Sequence, residues 1–155
     1  MDLIMRKSAS RLVMAAGLAV GALLSVPVYA QDDSTASPVH YSSEQADRGE
    51  DRFERDCEDC HGDDLRGGLI GGPPLRGLAF EQKFANGAPA SAMFGFMSAL
   101  MPPNAPGRYT PEVYADLMAY ILQENGFQPG EELPSDMESL NNLICLLYTS
   151  PSPRD

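Results

Sequence analysis

The 155-residue chain has no Trp, six Tyr and six Phe, and only 11 Lys and Arg against 22 Asp and Glu. So few aromatics beside 14 Gly and 13 Pro argue against a large enzyme core and for one small, loop-rich domain. A formal charge of −11 excludes a nucleic-acid-binding surface, which needs a basic face. Cysteine is scarce too: three residues, an odd number, make no disulfide framework. The longest apolar run, Leu12 to Val26, is short of the ~20 residues that span a bilayer.

That run has the layout of a secretory signal. Arg6, Lys7 and Arg11 supply a positive start, and Val28-Tyr29-Ala30 places small residues where a signal peptidase reads them. Residues 1–30 are therefore expected to be a signal peptide cleaved after Ala30, an uncleaved anchor being the alternative, and the protein is expected in the periplasm. At the other end, residues 145–155, CLLYTSPSPRD, show no helical or strand period. They coincide residue for residue with the translation of a transposase-type sequencing adapter, so they are expected to be a non-native tail and Cys145 is left out of the chemistry. Between these ends, residues 31–144 hold 7 basic and 20 acidic side chains, a charge of −13 that repels anionic lipid.

Within that span, residues 31–41 read as a flexible lead-in. A first helix is expected from Ser42, where Ser42-x-x-Gln45 fits a capping box and Tyr41 can staple the entry. Ala46, Gly49, Phe53 and Cys57 then share one helix face. Gly49 weakens a helix, so its expected use is to let another helix approach closely. Residues 62–77, GDDLRGGLIGGPPLRG, must be loop. Short helices are expected over 79–86 and 89–100, the second with Pro89 in its first turn. Residues 101–109 are loop again. The last helix has the clearest bounds, with Thr110 as cap, Pro111 at its first position and Gly126 at its end. Its stripe is Val113, Leu117, Tyr120 and Ile121, while Glu112, Asp116 and Glu124 lie on more polar faces. Residues 127–144 read as an extended tail with one helical turn. The expected fold class is all-α.

Chemistry concentrates at Cys57-Glu58-Asp59-Cys60-His61, the CxxCH attachment signature of c-type haem. Two thiols on one helical turn can each add across a vinyl group of the same porphyrin, and the adjacent imidazole is placed to bind its iron. Haem is attached to such proteins outside the cytoplasm, in keeping with the signal. The rival readings are poorer. A structural zinc site wants four ligands, and only His40 remains as a further soft ligand. A thioredoxin-like redox pair wants a βαβ setting that the chain lacks. A disulfide between Cys57 and Cys60 is awkward within a helix.

The chain resembles the class I monohaem cytochromes c. The resemblance rests on Gly49-x-x-x-Phe53, CEDCHG at 57–62, GPPLRG at 72–77, LMPP at 100–103 and DLMAYIL at 116–122, in that order. It implies a small cytochrome c domain over 42–128, with a C-terminal extension at 129–144. It also implies one covalent haem c on Cys57 and Cys60, with few helices around it and His61 as the proximal iron ligand. First and last helices would cross with Gly49 and Phe53 against Tyr120. For the sixth ligand the candidates are Met93, Met97, Met101, Met118 and His40. Met93, Met97 and Met118 fall within helices, where Met commonly fills core gaps. Met101 follows a helix and precedes Pro102-Pro103, where the family places its axial Met. Pro73 matches the family proline whose carbonyl accepts a hydrogen bond from the proximal His, with Pro74 the close alternative.

Met/His ligation fills both axial positions and favours reduced iron. The function expected is therefore a periplasmic one-electron carrier cycling Fe(III)/Fe(II), and not an enzyme. The rival is a haem enzyme or gas sensor with an open or labile distal site. Asp56, Glu58, Asp59, Asp63 and Asp64 cluster around the attachment motif, either as a solvated face or as a steering surface for a basic partner. AYILQENGFQPGEELPSD at 119–136 resembles the end of cytochrome domains that accompany pyrroloquinoline-quinone (PQQ) alcohol dehydrogenases. Redox partners are thus expected: such a PQQ-dependent dehydrogenase, a terminal oxidase or another cytochrome.

Overall fold

The computed structural model describes residues 36–147; the signal segment 1–30 and all of the tail beyond residue 147 lie outside them. The order of elements is β1 (Ser37–Pro38), α1 (Ser43–Asp56), α2 (Glu58–His61), α3 (Leu78–Phe84), β2 (Asn86–Pro89), α4 (Ala90–Leu100), α5 (Pro111–Glu124), α6 (Met137–Asn141) and β3 (Leu143–Leu146). Helix α1 begins as its sequence requires. Ser42 Oγ accepts from the Gln45 amide and Gln45 Oε1 accepts from the Ser42 amide, both at 3.2 Å. Tyr41 does more than staple the entry, because its hydroxyl donates to the Phe127 carbonyl at 2.8 Å in the interior. Gln45 is itself buried, with its amide nitrogen donating to Leu133 O at 2.9 Å and its Oε1 accepting from Leu133 N at 2.6 Å. A buried amide satisfied on both sides is stable, and here it ties the C-terminal segment to α1.

Helices α1 and α5 cross at Gly49. A Cβ built there would lie 2.0 Å from the Asp116 carbonyl oxygen and 2.9 Å from Tyr120 Cβ, so only glycine allows the approach. One turn on, the Phe53 and Tyr120 rings pack with centroids 5.3 Å apart. Asp116, expected on a polar face, is drawn into the crossing by Arg48, whose Nε and Nη2 donate to its two oxygens at 2.9 and 2.8 Å. Pro111 opens α5 as expected, but Thr110 caps it by backbone alone, without a side-chain hydrogen bond. Pro89 likewise caps α4 from outside instead of standing in its first turn.

The helical expectation omitted a small sheet. Strand β3 lies between β1, to which it is parallel, and β2, to which it is antiparallel. Its first half comes from the expected C-terminal extension. Its second half, Cys145 and Leu146, comes from the stretch read as irregular tail, and Leu147 N donates on to Ala85 O at 3.3 Å. Strands of two and four residues are too short to show alternation in sequence. Pairing between residues 37 and 143 is made by the tertiary fold. Leu143 and Cys145 turn inward, and burial pushes the Cys145 thiol up to about 12. Residues 86–89, partly expected to be helix, form β2 because α3 stops at Phe84.

Candidate haem site

Helix α1 ends at Asp56, and Cys57 both caps it and opens the single turn α2. His61 N and Cys60 N donate to the Cys57 carbonyl at 3.0 and 3.1 Å, which sets the two thiols and the imidazole on one turn. Gly62 stops that turn at φ 80°, a conformation open to glycine at little cost. The following loop then folds back onto the motif. Gly68 N and Gly72 N both donate to the Cys60 carbonyl at 2.9 Å, and Gly67 N donates to His61 O at 2.8 Å. A Cβ at Gly72 would stand 2.2 Å from Cys60 O. The glycine-rich loop is therefore a close-fitting clamp on the attachment turn.

The clamp delivers Pro73 to the histidine. The Pro73 carbonyl lies 2.8 Å from His61 Nδ1. A carbonyl only accepts, so the proton resides on Nδ1, and in the neutral ring Nε2 keeps its lone pair for a metal. Of the two adjacent prolines, this contact belongs to Pro73.

His61, Cys57, Cys60 and Pro73 line one side of a cleft with about 820 Å³ of space free of protein atoms, its open mouth included. Its walls are almost wholly apolar, built from aromatic and aliphatic side chains of α1, α3, α4 and α5. Met101 lies on this lining, as do Met97 and Met93, one and two turns before it in α4. Met118 is buried away from the cleft, and His40 lies elsewhere, its Nδ1 3.0 Å from Glu131 O. Met101 closes α4, its amide donating to Met97 O at 2.9 Å, and a cis peptide joins it to Pro102. The Tyr114 hydroxyl donates to the Met101 carbonyl at 2.7 Å. Tyr114 also lines the cleft and escaped the reading of the sequence. Its only signal was a tyrosine one turn into a well-capped helix.

Asp56, expected within an acidic surface cluster, belongs instead to a polar network at the edge of the cleft whose arginines the sequence reading missed. Asp56, on the lining, pairs with Arg108 Nη2 at 2.9 Å and with Arg52 Nη1 at 3.2 Å, and the Arg108 guanidinium also donates to the Tyr109 hydroxyl. Burial acts to raise the Asp56 pKa, but hydrogen bonds from Tyr109, Arg52 and Arg108 outweigh it and hold the carboxyl below its usual range. Burial, with Asp56 as the next cause, pushes the Cys57 thiol up to about 11. A thioether has no proton to lose, so attachment removes that group from the titration.

These residues fit a covalent porphyrin. Two thiols stand on one turn, an imidazole has its Nδ1 proton committed to a carbonyl, and a deep apolar cleft carries sulfur from a second element. Comparison with protein families matches residues 44–121, just over half of the chain, to the family described as cytochrome C oxidase, cbb3-type, subunit III. Among solved structures, a chain of the sulfane dehydrogenase SoxCD from Paracoccus pantotrophus is similar with 16% identity and a TM-score of 0.48, over 74% of this chain and 64% of that one. This chain thus spans less than two thirds of that chain's length. No curated protein matches.

Proposed function

We propose, for a chain that belongs to the cytochrome c oxidase cbb3-type subunit III family, the role of a soluble periplasmic one-electron carrier with His61 and Met101 as axial ligands. The family brings covalent haem c and electron transfer. The haem supplies a single electron by cycling between Fe(III) and Fe(II). Cys57 and Cys60 hold it as thioethers. His61 is oriented by Pro73, which keeps the ring in one tautomer and raises its basicity. Tyr114 and the amide-to-carbonyl bond to Met97 hold the Met101 backbone on the cleft. The apolar lining would keep water away from the bound group, so little would have to reorganise when its charge changes.

The observation that carries this reading is the placement of His61 and Met101 on the lining of one apolar cleft, with His61 Nδ1 tied to Pro73. Were His61 and Met101 both to bind the iron, no coordination site would be left for substrate, which favours carrier over catalyst. Among the described residues no helix is long and apolar enough to cross a membrane. The periplasmic placement rests on the signal-like residues 1–30. The resemblance of residues 119–136 makes a quinoprotein dehydrogenase the first electron donor to try, with a terminal oxidase or another cytochrome on the acceptor side.

The test is the optical spectrum of the holoprotein, oxidised and reduced. Met101 ligation gives a sulfur-to-iron charge-transfer band in the oxidised protein, and Met101→Ala removes it. The reduced parent should resist carbon monoxide, and the variant should bind it. A parent that binds carbon monoxide at neutral pH would refute the carrier and favour a haem enzyme or gas sensor.

A further inference from the structure

Leu69 and Ile70 are the most exposed large apolar side chains among the described residues, at 106% and 72% of full exposure. Neither lines the cleft, in contrast to exposed Phe96, which does. Their position is held from below. Gly68 N, directly before the pair, and Gly72 N, two residues after it, both donate to the Cys60 carbonyl at 2.9 Å. A Cβ at Gly68 would stand 2.6 Å from that oxygen and 2.9 Å from Asp59 O. The loop thus sits directly on the second haem-attaching residue and presents two aliphatic side chains to solvent.

The chain leading into the loop is acidic. Glu58, Asp59, Asp63 and Asp64 lie on the attachment turn and just after it, with Asp59, Asp63 and Asp64 exposed, and Arg66 is paired with Asp64 at 3.4 Å. An apolar tip beside a rim of net negative charge is a contact surface whose complement is an apolar recess with a basic rim. The geometry points to the Leu69–Ile70 tip as the docking contact for a basic one-electron redox protein, seated over Cys60. This rests on the carrier reading and adds where the partner sits. One electron passes from the reduced partner to the oxidised haem; the partner is oxidised, the haem iron reduced, and no proton or bond changes hands. A lipid surface fits less well, because the acidic rim opposes anionic headgroups.

The test uses the holoprotein and, as probe, a strongly basic mitochondrial-type cytochrome c in its reduced form. The parent's charge-transfer band is recorded first; its absence would fall on the carrier reading, before any loop variant is made. The double variant Leu69→Ser/Ile70→Ser should then slow electron exchange with the basic cytochrome about tenfold at low and at high ionic strength. Exchange with a small cobalt phenanthroline complex should stay at the parent's rate. Asp63→Asn/Asp64→Asn should instead flatten the dependence on salt and leave the high-salt rate alone. Rates with the protein probe within twofold of the parent would overturn the proposal. So would an equal slowing with the small complex, which would make the loop part of the haem site, or loss of binding to phosphatidylcholine vesicles by the Leu69→Ser/Ile70→Ser variant, which would make the tip a lipid contact.

Discussion

Replacing Gly49 by alanine tests the central crossing, because helix propensity and packing pull in opposite directions there. In an isolated helix the change stabilises by about 1 kcal/mol. In the protein the new methyl group would stand 2.0 Å from Asp116 O, 2.6 Å from Asp116 C and 2.9 Å from Tyr120 Cβ. The two nearest atoms are backbone, with no rotamer to change, so α1 and α5 must separate by about 1 Å to restore ordinary contact. Overpacking of this kind costs about 1–3 kcal/mol and sometimes more. The separation also loosens the Phe53–Tyr120 pair, an aromatic contact contributing roughly 1 kcal/mol. Losing the exposed side of the Arg48–Asp116 pair adds little. The net expectation for Gly49→Ala is destabilisation by about 1–3 kcal/mol, a fall in Tm of roughly 5–20 °C for a domain of this size. Gly95→Ala is the control. Its Cβ would meet only the flexible end of Met137, at 3.4 Å, so the propensity gain survives and stability should be unchanged or up to about 1 kcal/mol higher. Thermal unfolding of the oxidised holoproteins, followed by far-ultraviolet circular dichroism, measures both. A Gly49→Ala protein within 1 kcal/mol of the parent would refute the inference that glycine is required at this crossing.

Tyr114→Phe removes the hydroxyl that holds Met101 O at 2.7 Å and leaves that carbonyl without its partner, a loss of about 1 kcal/mol. The charge-transfer band should remain at room temperature but be lost on heating at a lower temperature than in the parent; an unchanged midpoint would show that this hydrogen bond does not hold the ligand loop. The Asp56 carboxyl has its folded pKa below the ordinary value, so its contribution to stability is fully present above about pH 4 and is lost as pH falls through the folded pKa. Asp56→Asn should therefore flatten the acid limb of Tm against pH and lower Tm at neutral pH; acid limbs of equal slope would contradict the charge network with Arg52 and Arg108.

What was legible in the sequence was local or covalent. The capping box at Ser42 and Gln45 needs atoms three residues apart, and α1 starts there. CxxCH places two thiols and an imidazole on a single turn, which no distant contact must arrange. Gly49 was legible for a related reason: a residue unfavourable in a helix has to be required by something outside it. The tertiary structure decided the rest, because each remaining feature depends on partners distant in sequence. Asp116 lies in a helix crossing and not on a polar face because Arg48, 68 residues away, meets it there. Pro73 rather than Pro74 reaches His61 because the loop registers on the Cys60 carbonyl. The sheet exists because residues 37, 88 and 145 are brought edge to edge, in strands too short to carry a period of their own. Periodicity and spacing report what one element asks of its surroundings. Only the fold determines which distant backbone or side chain meets that need, because burial and hydrogen bonding are settled between elements and not within them.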